Sequence, residues 1–250
     1  MRVALGIEYD GSSFCGWQTQ PSGLAVQDAL EAALARVAGE KVATMCAGRT
    51  DAGVHASAQV VHFDTSAARP QSAWVRGVNA LLPAGVAVLW AREVDAEFHA
   101  RFCASGRRYR YVLLNRPQRS ALFHGKVGWY FHTLDVDPMR EAARHLIGRH
   151  DFSAFRAAEC QAKSPVRQLR ELYIERRGDW ITFDFHADAF LHHMVRNIVG
   201  SLVYVGDGRR APQWIAEVLR GRERRLAAPT FAPDGLYLTG IEYPAKWNLP

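Results

Sequence analysis

The chain has 250 residues, 48% hydrophobic and 22% charged, which is ordinary globular usage and excludes a disordered or fibrous chain; the length suits one large domain or two modest ones, each with a core of its own. The net charge is +6 and the pI about 9.3, and among the 31 basic residues only Lys41, Lys126, Lys163 and Lys246 are lysine, so two readings stand level: a polyanionic partner gripped by arginine forks, or a GC-rich genome that favours arginine and alanine. No run approaches the ~18 apolar residues of a membrane span, and Cys15, Cys46, Cys103 and Cys160 lie far apart without CxxC spacing, which disfavours a zinc ribbon or a disulfide framework and fits a reducing cytoplasm.

The opening MRVALGIEYDG is cut short by acidic and turn residues, which predicts neither a signal peptide nor an anchor. Val3, Leu5, Ile7 and Tyr9 alternate with small or polar neighbours and predict a half-buried strand that Asp10-Gly11 ends in a turn. Val26, Leu30, Leu34 and Val37 recur at helical spacing before Gly39. Gln59 to Asp64 then reads as a strand, Ser72 to Leu82 as a helix stopped by Pro83, and Val86 to Val94 as another strand. Arg108 to Leu114 alternates like a strand again. Asp137 as N-cap, with Pro138 at the first helical position, opens a helix that Gly148 closes. Leu169 to Arg176 and Trp180 to Ala187 form a hairpin through Arg177-Gly178-Asp179. A long amphipathic helix carries Phe190, Met194, Ile198 and Leu202 on one face, Pro212 opens a shorter helix closed by Gly221, and Leu236 to Tyr243 makes the last strand.

Strands and helices therefore recur in comparable order, with no low-complexity linker. This predicts an α+β protein of two similar halves, residues 1–104 and 105–250, sharing one sheet with the site in a cleft between them. Periodicity does not give pairing order, so a doubly wound parallel sheet stays open.

The densest chemistry lies in GRTDAGVHA, Gly48 to Ala56. Its glycines match the GxxxxG of a phosphate loop, but Val54 and His55 stand where Lys and Ser or Thr should follow, which rejects a Walker site. No GxGxxG, HExxH, EF-hand or GxSxG pattern occurs. His192 and His193, adjacent on the expected helix, would point about 100° apart and could not share an ion without distortion, so no metal site is expected. Asp51 remains. As a bare D-x-G it reads as an Asx-turn bonded near Gly53; beside Arg49 it reads as a carboxylate kept ionised by a guanidinium and available as nucleophile or base.

Other patches also mix aromatics, arginine and polar groups: YDGSSFCGWQ from Tyr9, HARF (His99 to Phe102), RRYRY (Arg107 to Tyr111), DFSAF (Asp151 to Phe155), HHMVRNIVGSL (His192 to Leu202) and APDGLYL (Ala232 to Leu238). With GRTDAGVHA they cover nearly the whole chain and together resemble the tRNA pseudouridine synthase A family. The resemblance implies α/β halves of ferredoxin-like (RRM-like) type on a mainly antiparallel central sheet. It implies an enzyme, a tRNA-modifying isomerase that turns uridine into pseudouridine at positions 38, 39 and 40 of the anticodon stem-loop, without cofactor or metal, as a homodimer; the cytoplasmic location expected from the cysteines agrees with this. By position in the motifs, Asp51 corresponds to the catalytic aspartate and Arg49 assists flipping of the base out of the stem. Tyr109 stacks on the flipped base, Arg196 is the aspartate's basic partner, and Leu236 lines the pocket. Phe98, His99, Ala100, Arg101 and Phe102 are expected to contact tRNA, as are Glu159, Cys160, Gln161, Ala162 and Lys163. Arg107, Arg108 and Arg110 form a basic cluster with Arg101, whereas Arg220 to Arg225 reads as either an RNA grip or a solvated face. The rival reading is a non-catalytic RNA-binding module on the same basic surfaces.

Overall fold

Val3, Ala4, Leu5 and Ile7 are all buried, so β1 (Arg2–Tyr9) is covered on both faces rather than half-buried, and its backbone has to be paired on both sides. In this computed structural model, which describes residues 1–250, it pairs antiparallel with β3 (His55–Asp64) and with β4 (Val86–Val94). The short strand β2 (Thr44–Cys46) lies antiparallel on β3, and β10 (Leu236–Glu242) runs parallel to β3 through Tyr237 and Leu238. The order β4-β1-β3-β10 makes the sheet of the first of two compact units, Met1–Gly106 with Tyr237–Pro250. Helix α1 (Val26–Ala38) buries Val26, Leu30, Ala33 and Leu34 and ends at Gly39, whose φ of 77° suits glycine. The helix expected over Ser72 to Leu82 is present but loosened, with Ala73–Gly77 in a π-helical turn that seats Trp74 edge-on to Phe63 at 5.2 Å.

The second unit is Arg107–Leu236. β5 (Gly106–Asn115), β9 (Trp180–Ala187), β8 (Val166–Arg177) and β7 (Gly148–Asp151) follow one another in the antiparallel order β5-β9-β8-β7, and β6 (Gly128–Tyr130) lies parallel beside β5. Helices α2 (Val136–Arg144) and α3 (Met194–Gly206) pack together, with α4 (Trp214–Gly221) against α2. Met139, Ile198, Leu202, Phe183 and Phe185 are buried in this unit's core. No helix is long and apolar enough to cross a membrane.

The protein is thus α+β with mainly antiparallel pairing, and the doubly wound parallel alternative falls. Several expected details change. Residues 237–250, assigned by sequence to the second half, belong to the first unit, because Ile241, Tyr243, Trp247 and Leu249 pack on the cluster around Phe98. Asp135, not Asp137, caps α2 by accepting the Asp137 N–H at 3.0 Å, and Gly148 at φ 115° opens β7 instead of closing the helix. Helix α3 starts only at Met194, leaving Phe190 ahead of it, and α4 starts at Trp214 and ends at Gly221 as expected, with Arg222, left-handed at φ 55°, as its C-cap. The strands β2, β6 and β7 have three or four residues each, too few for an alternating pattern to stand out in the sequence.

Candidate active site

The Asp51 loop joins β2 to β3 and is braced from below. Gln59, on β3 and wholly buried, donates its amide N–H to the Gly48 carbonyl at 2.7 Å and also approaches the Tyr9 hydroxyl at 3.4 Å. Tyr9, at the end of β1, shares a 2.8 Å hydrogen bond with the buried Thr50 hydroxyl. Burial pushes the Tyr9 phenol up, so it stays a neutral hydroxyl. Trp17 donates its backbone N–H to the Thr50 carbonyl at 3.0 Å, and its ring, 1% exposed, lies 6.0 Å from that of Tyr9. The residues on both sides of Arg49 are therefore fixed in the interior, and the sequence turns outward through Asp51.

The turn closes through its backbone: Val54 N–H donates to the Asp51 carbonyl at 3.1 Å, with Gly53 at φ 78°. Two other glycines let neighbouring chain approach. A Cβ on Gly11 would sit 2.0 Å from the Val54 carbonyl oxygen, and one on Gly16 would sit 2.7 Å from that of Thr50. His55 ends the loop, buried, accepting the Gly11 N–H at Nδ1 (3.0 Å) and stacked on Tyr237 at 4.6 Å. Asp51 itself is half-buried and Arg49 exposed. Burial pushes the Cys46 thiol up to about 12, against the smaller opposing pull of the Arg49 and Arg101 guanidinium groups.

In the second unit, Tyr109 on β5 is 8% exposed and meets Phe190 edge-on at 5.1 Å. Arg196 on α3 is half-buried and donates Nε–H to the Phe231 carbonyl at 2.9 Å, while Phe231 N–H returns to the Arg196 carbonyl at 3.3 Å. Leu236 is 5% exposed. Gly235 before it passes so close to β5 that a Cβ would sit 2.4 Å from the Val112 carbonyl oxygen. His192 and His193 lie in the turn before α3, with His193 left-handed at φ 61° and the rings 4.1 Å apart, so the helical geometry invoked against a shared ion does not apply to them.

The expected RNA contacts divide by exposure. Phe98 and Ala100 are core residues, and His99 is half-buried, so the segment offers Arg101 and Phe102, the latter 75% exposed, with the guanidinium 5.7 Å over the ring. Glu159, Gln161 and Lys163 are exposed, while Cys160 and Ala162 are half-buried with their carbonyls held by the Arg156 guanidinium. The Cys160 thiol accepts the His192 N–H at 3.4 Å, and backbone N–H groups with Arg156 hold it below its usual range against the effect of burial. The basic cluster on β5 is largely committed to protein partners: Arg110 pairs with Asp184 at 2.7 Å, Arg108 with Glu171 at 3.4 Å, and Arg107 donates to the Asp188 carbonyl at 2.8 Å. In the 220–225 run Arg224 reaches Asn197 and Thr230 at 3.0 and 3.1 Å, which makes it a structural brace.

Sequence reasoning passed over Tyr9, Trp17, Thr50, Gln59 and His55 as working parts of the loop. One signal was available: Gln59 is a polar residue whose neighbours on β3 are apolar, and such a residue needs buried partners.

A family model described as tRNA pseudouridine synthase matches residues 6–103 and 142–244. Over 250 residues the chain is 64% identical to the tRNA pseudouridine synthase A of Thiobacillus denitrificans, covering 100% of this chain and 96% of that protein. It is 63% identical over 251 residues to the enzyme of the same name from Chromobacterium violaceum, with 100% and 96% covered. With that of Herminiimonas arsenicoxydans it shares 60% identity over 253 residues, with 100% and 92% covered. With an aspartate carried on a braced loop and likeness along its entire length, the chain belongs to the tRNA pseudouridine synthase A family.

Proposed function

We propose that the protein converts uridine to pseudouridine in tRNA, at positions 38, 39 and 40 of the anticodon stem-loop, with Asp51 as nucleophile on the ribose or the base. The bond between the sugar and N1 of uracil breaks, the base turns, and a bond to C5 forms; C5 loses a proton and N1 gains one, so the product has the mass of the substrate. Such a rearrangement is redox-neutral and asks for a carboxylate held still rather than for an electron carrier. The observation that carries this reading is the brace on the Asp51 loop, in which Thr50 and Gly48 are bonded to buried Tyr9 and Gln59. It supplies the preorganisation that nucleophilic attack requires.

A uridine in a stem has to leave its stack at a cost of a few kcal/mol. Exposed Arg49 is suited to occupy the gap, Tyr109 to stack on the flipped base, Arg196 to pair with the aspartate, and Leu236 to give the base an apolar wall. Arg101 and Phe102 with Glu159, Gln161 and Lys163 would hold the RNA outside. The chain is proposed to work in the cytoplasm as a homodimer, which light scattering of the purified protein tests directly.

Asp51→Ala is expected to abolish pseudouridine formation in an anticodon stem-loop transcript, mapped by position, while RNA binding by filter retention stays largely intact. Turnover by the variant would overturn the assignment of Asp51. Release of free uracil by the wild type, read by mass spectrometry, would make the protein a hydrolase instead.

A further inference from the structure

The turn that exposes Arg101 and Phe102 stands on a stem whose backbone groups are all satisfied. Phe98 N–H donates to the Asp95 carbonyl at 2.9 Å, and the Phe98 carbonyl accepts from the Arg2 guanidinium at 2.8 Å. His99 bonds to Cys103 in both directions, N–H to Sγ at 3.3 Å and carbonyl from N–H at 2.9 Å. Ala100 N–H donates to His62 Nδ1 at 3.1 Å, and the Ala100 carbonyl accepts the Tyr243 hydroxyl at 2.6 Å. At the tip, His99 Nδ1 accepts from the N–H groups of Arg101 and Phe102 at 3.2 and 3.3 Å.

Two of these supports come from far along the chain. The Phe98 ring packs against both Tyr243 (5.3 Å) and Trp247 (5.2 Å, edge-on), so the segment after β10 helps to close the apolar box from which the turn projects. Neither residue lies in the Asp51 loop or in any segment assigned to RNA.

We propose that Tyr243 and Trp247 are positioning residues for RNA binding: they lock the Phe98–Phe102 turn so that Arg101 and Phe102 meet the RNA already ordered. This rests on the reading of that turn as an RNA contact. A side chain presented in its bound conformation loses less entropy on association, so loosening the box should weaken RNA binding and leave the chemical step alone.

The test is steady-state kinetics on full tRNA for Tyr243→Phe, Trp247→Ala, Trp247→Phe and Arg101→Ala, each confirmed folded at the assay temperature by thermal melting. Tyr243→Phe and Trp247→Ala are expected to raise KM about three- to tenfold with kcat unchanged, and Trp247→Phe, which refills the box, to recover most of the loss. If Trp247→Ala does not fold, Tyr243→Phe decides alone, since it removes only one hydroxyl. A raised KM for Arg101→Ala beside an unchanged KM for Tyr243→Phe and Trp247→Ala overturns the positioning role and spares the RNA contact. An unchanged KM for Arg101→Ala overturns the contact itself, and equal falls in kcat across the box variants would reduce the segment to general stability.

Discussion

At the scale of single residues, the Tyr9–Thr50 pair is the link by which the interior reaches the candidate nucleophile. Both hydroxyls are buried and bonded at 2.8 Å, and removing one leaves the other to be desolvated without its partner, a cost of about 1–3 kcal/mol. Tyr9→Phe and Thr50→Val are each expected to lower the melting temperature and to lower kcat further than that loss explains. Thr50→Ser, which keeps the hydroxyl, should retain most activity; equal kcat in Thr50→Val and Thr50→Ser would show that the bond has no catalytic consequence. His62 makes a separate statement about pH. Burial, with the charges of His99 and Arg2, holds it down to about 4, and only the neutral ring can accept the Ala100 N–H at Nδ1. The unfolded chain takes up the proton near pH 6.5, so the stabilisation is complete above that pH and drains away as pH falls towards 4, amounting to about 3 kcal/mol. Urea melts at pH 7 and pH 4.5 should show the wild type losing more stability than His62→Gln.

At the scale of elements, the Asp51 loop depends on how closely other segments can approach it. Gly11, just after β1, lies so close to the Val54 carbonyl that a Cβ would sit 2.0 Å from its oxygen, so no side chain fits unless the loop moves. Gly11→Ala is expected to cost about 1–3 kcal/mol, the usual range for overpacking, and to depress kcat more than KM because the shift is delivered to the turn that carries Asp51. Thermal melting and steady-state kinetics check both parts; a destabilised variant with normal kcat would mean the loop is not held by this contact. Much of this element-level order was legible in the chain. The alternation in β1 and the helical spacing ended by Gly39 in α1 located both elements, since large apolar side chains recur with the backbone repeat even in β1, where small residues fill the second buried face. The three short strands were not, and the two cap positions of α2 were misassigned because capping depends on which carboxylate meets an N–H, which spacing alone does not decide.

At the scale of the whole molecule, the count of 31 basic residues overstates what is available to RNA. Many arginines are paired within the protein, among them Arg2 with Asp64 at 2.7 Å and Arg110 with Asp184 at 2.7 Å, and Arg224 serves as a brace. Binding should therefore rest on a few phosphate contacts. Affinity for tRNA is expected to fall with rising salt, and Arg101→Ala should make the log–log slope shallower by about 1. Titration by fluorescence anisotropy over a salt series measures this, and an unchanged slope would mean that Arg101 meets no phosphate.

The sequence by itself determined the elements with strong periodicity, the α+β class and, through GRTDAGVHA and its companion motifs, the family and the aspartate to examine. These are legible because they depend on local backbone preference, on one-face burial and on residues adjacent in the chain. Only the tertiary structure decided which neighbours are buried, and so separated Phe98 and Ala100 as core from Arg101 and Phe102 as surface. It also decided that Tyr9 and Gln59 brace the loop and that residues 237–250 return to the first unit. Those outcomes follow from contacts between residues 11 to 143 positions apart, such as Gln59 with Gly48, Tyr9 with Thr50 and Tyr243 with Ala100, and no periodicity in the chain records which distant group will satisfy a buried hydroxyl or carbonyl.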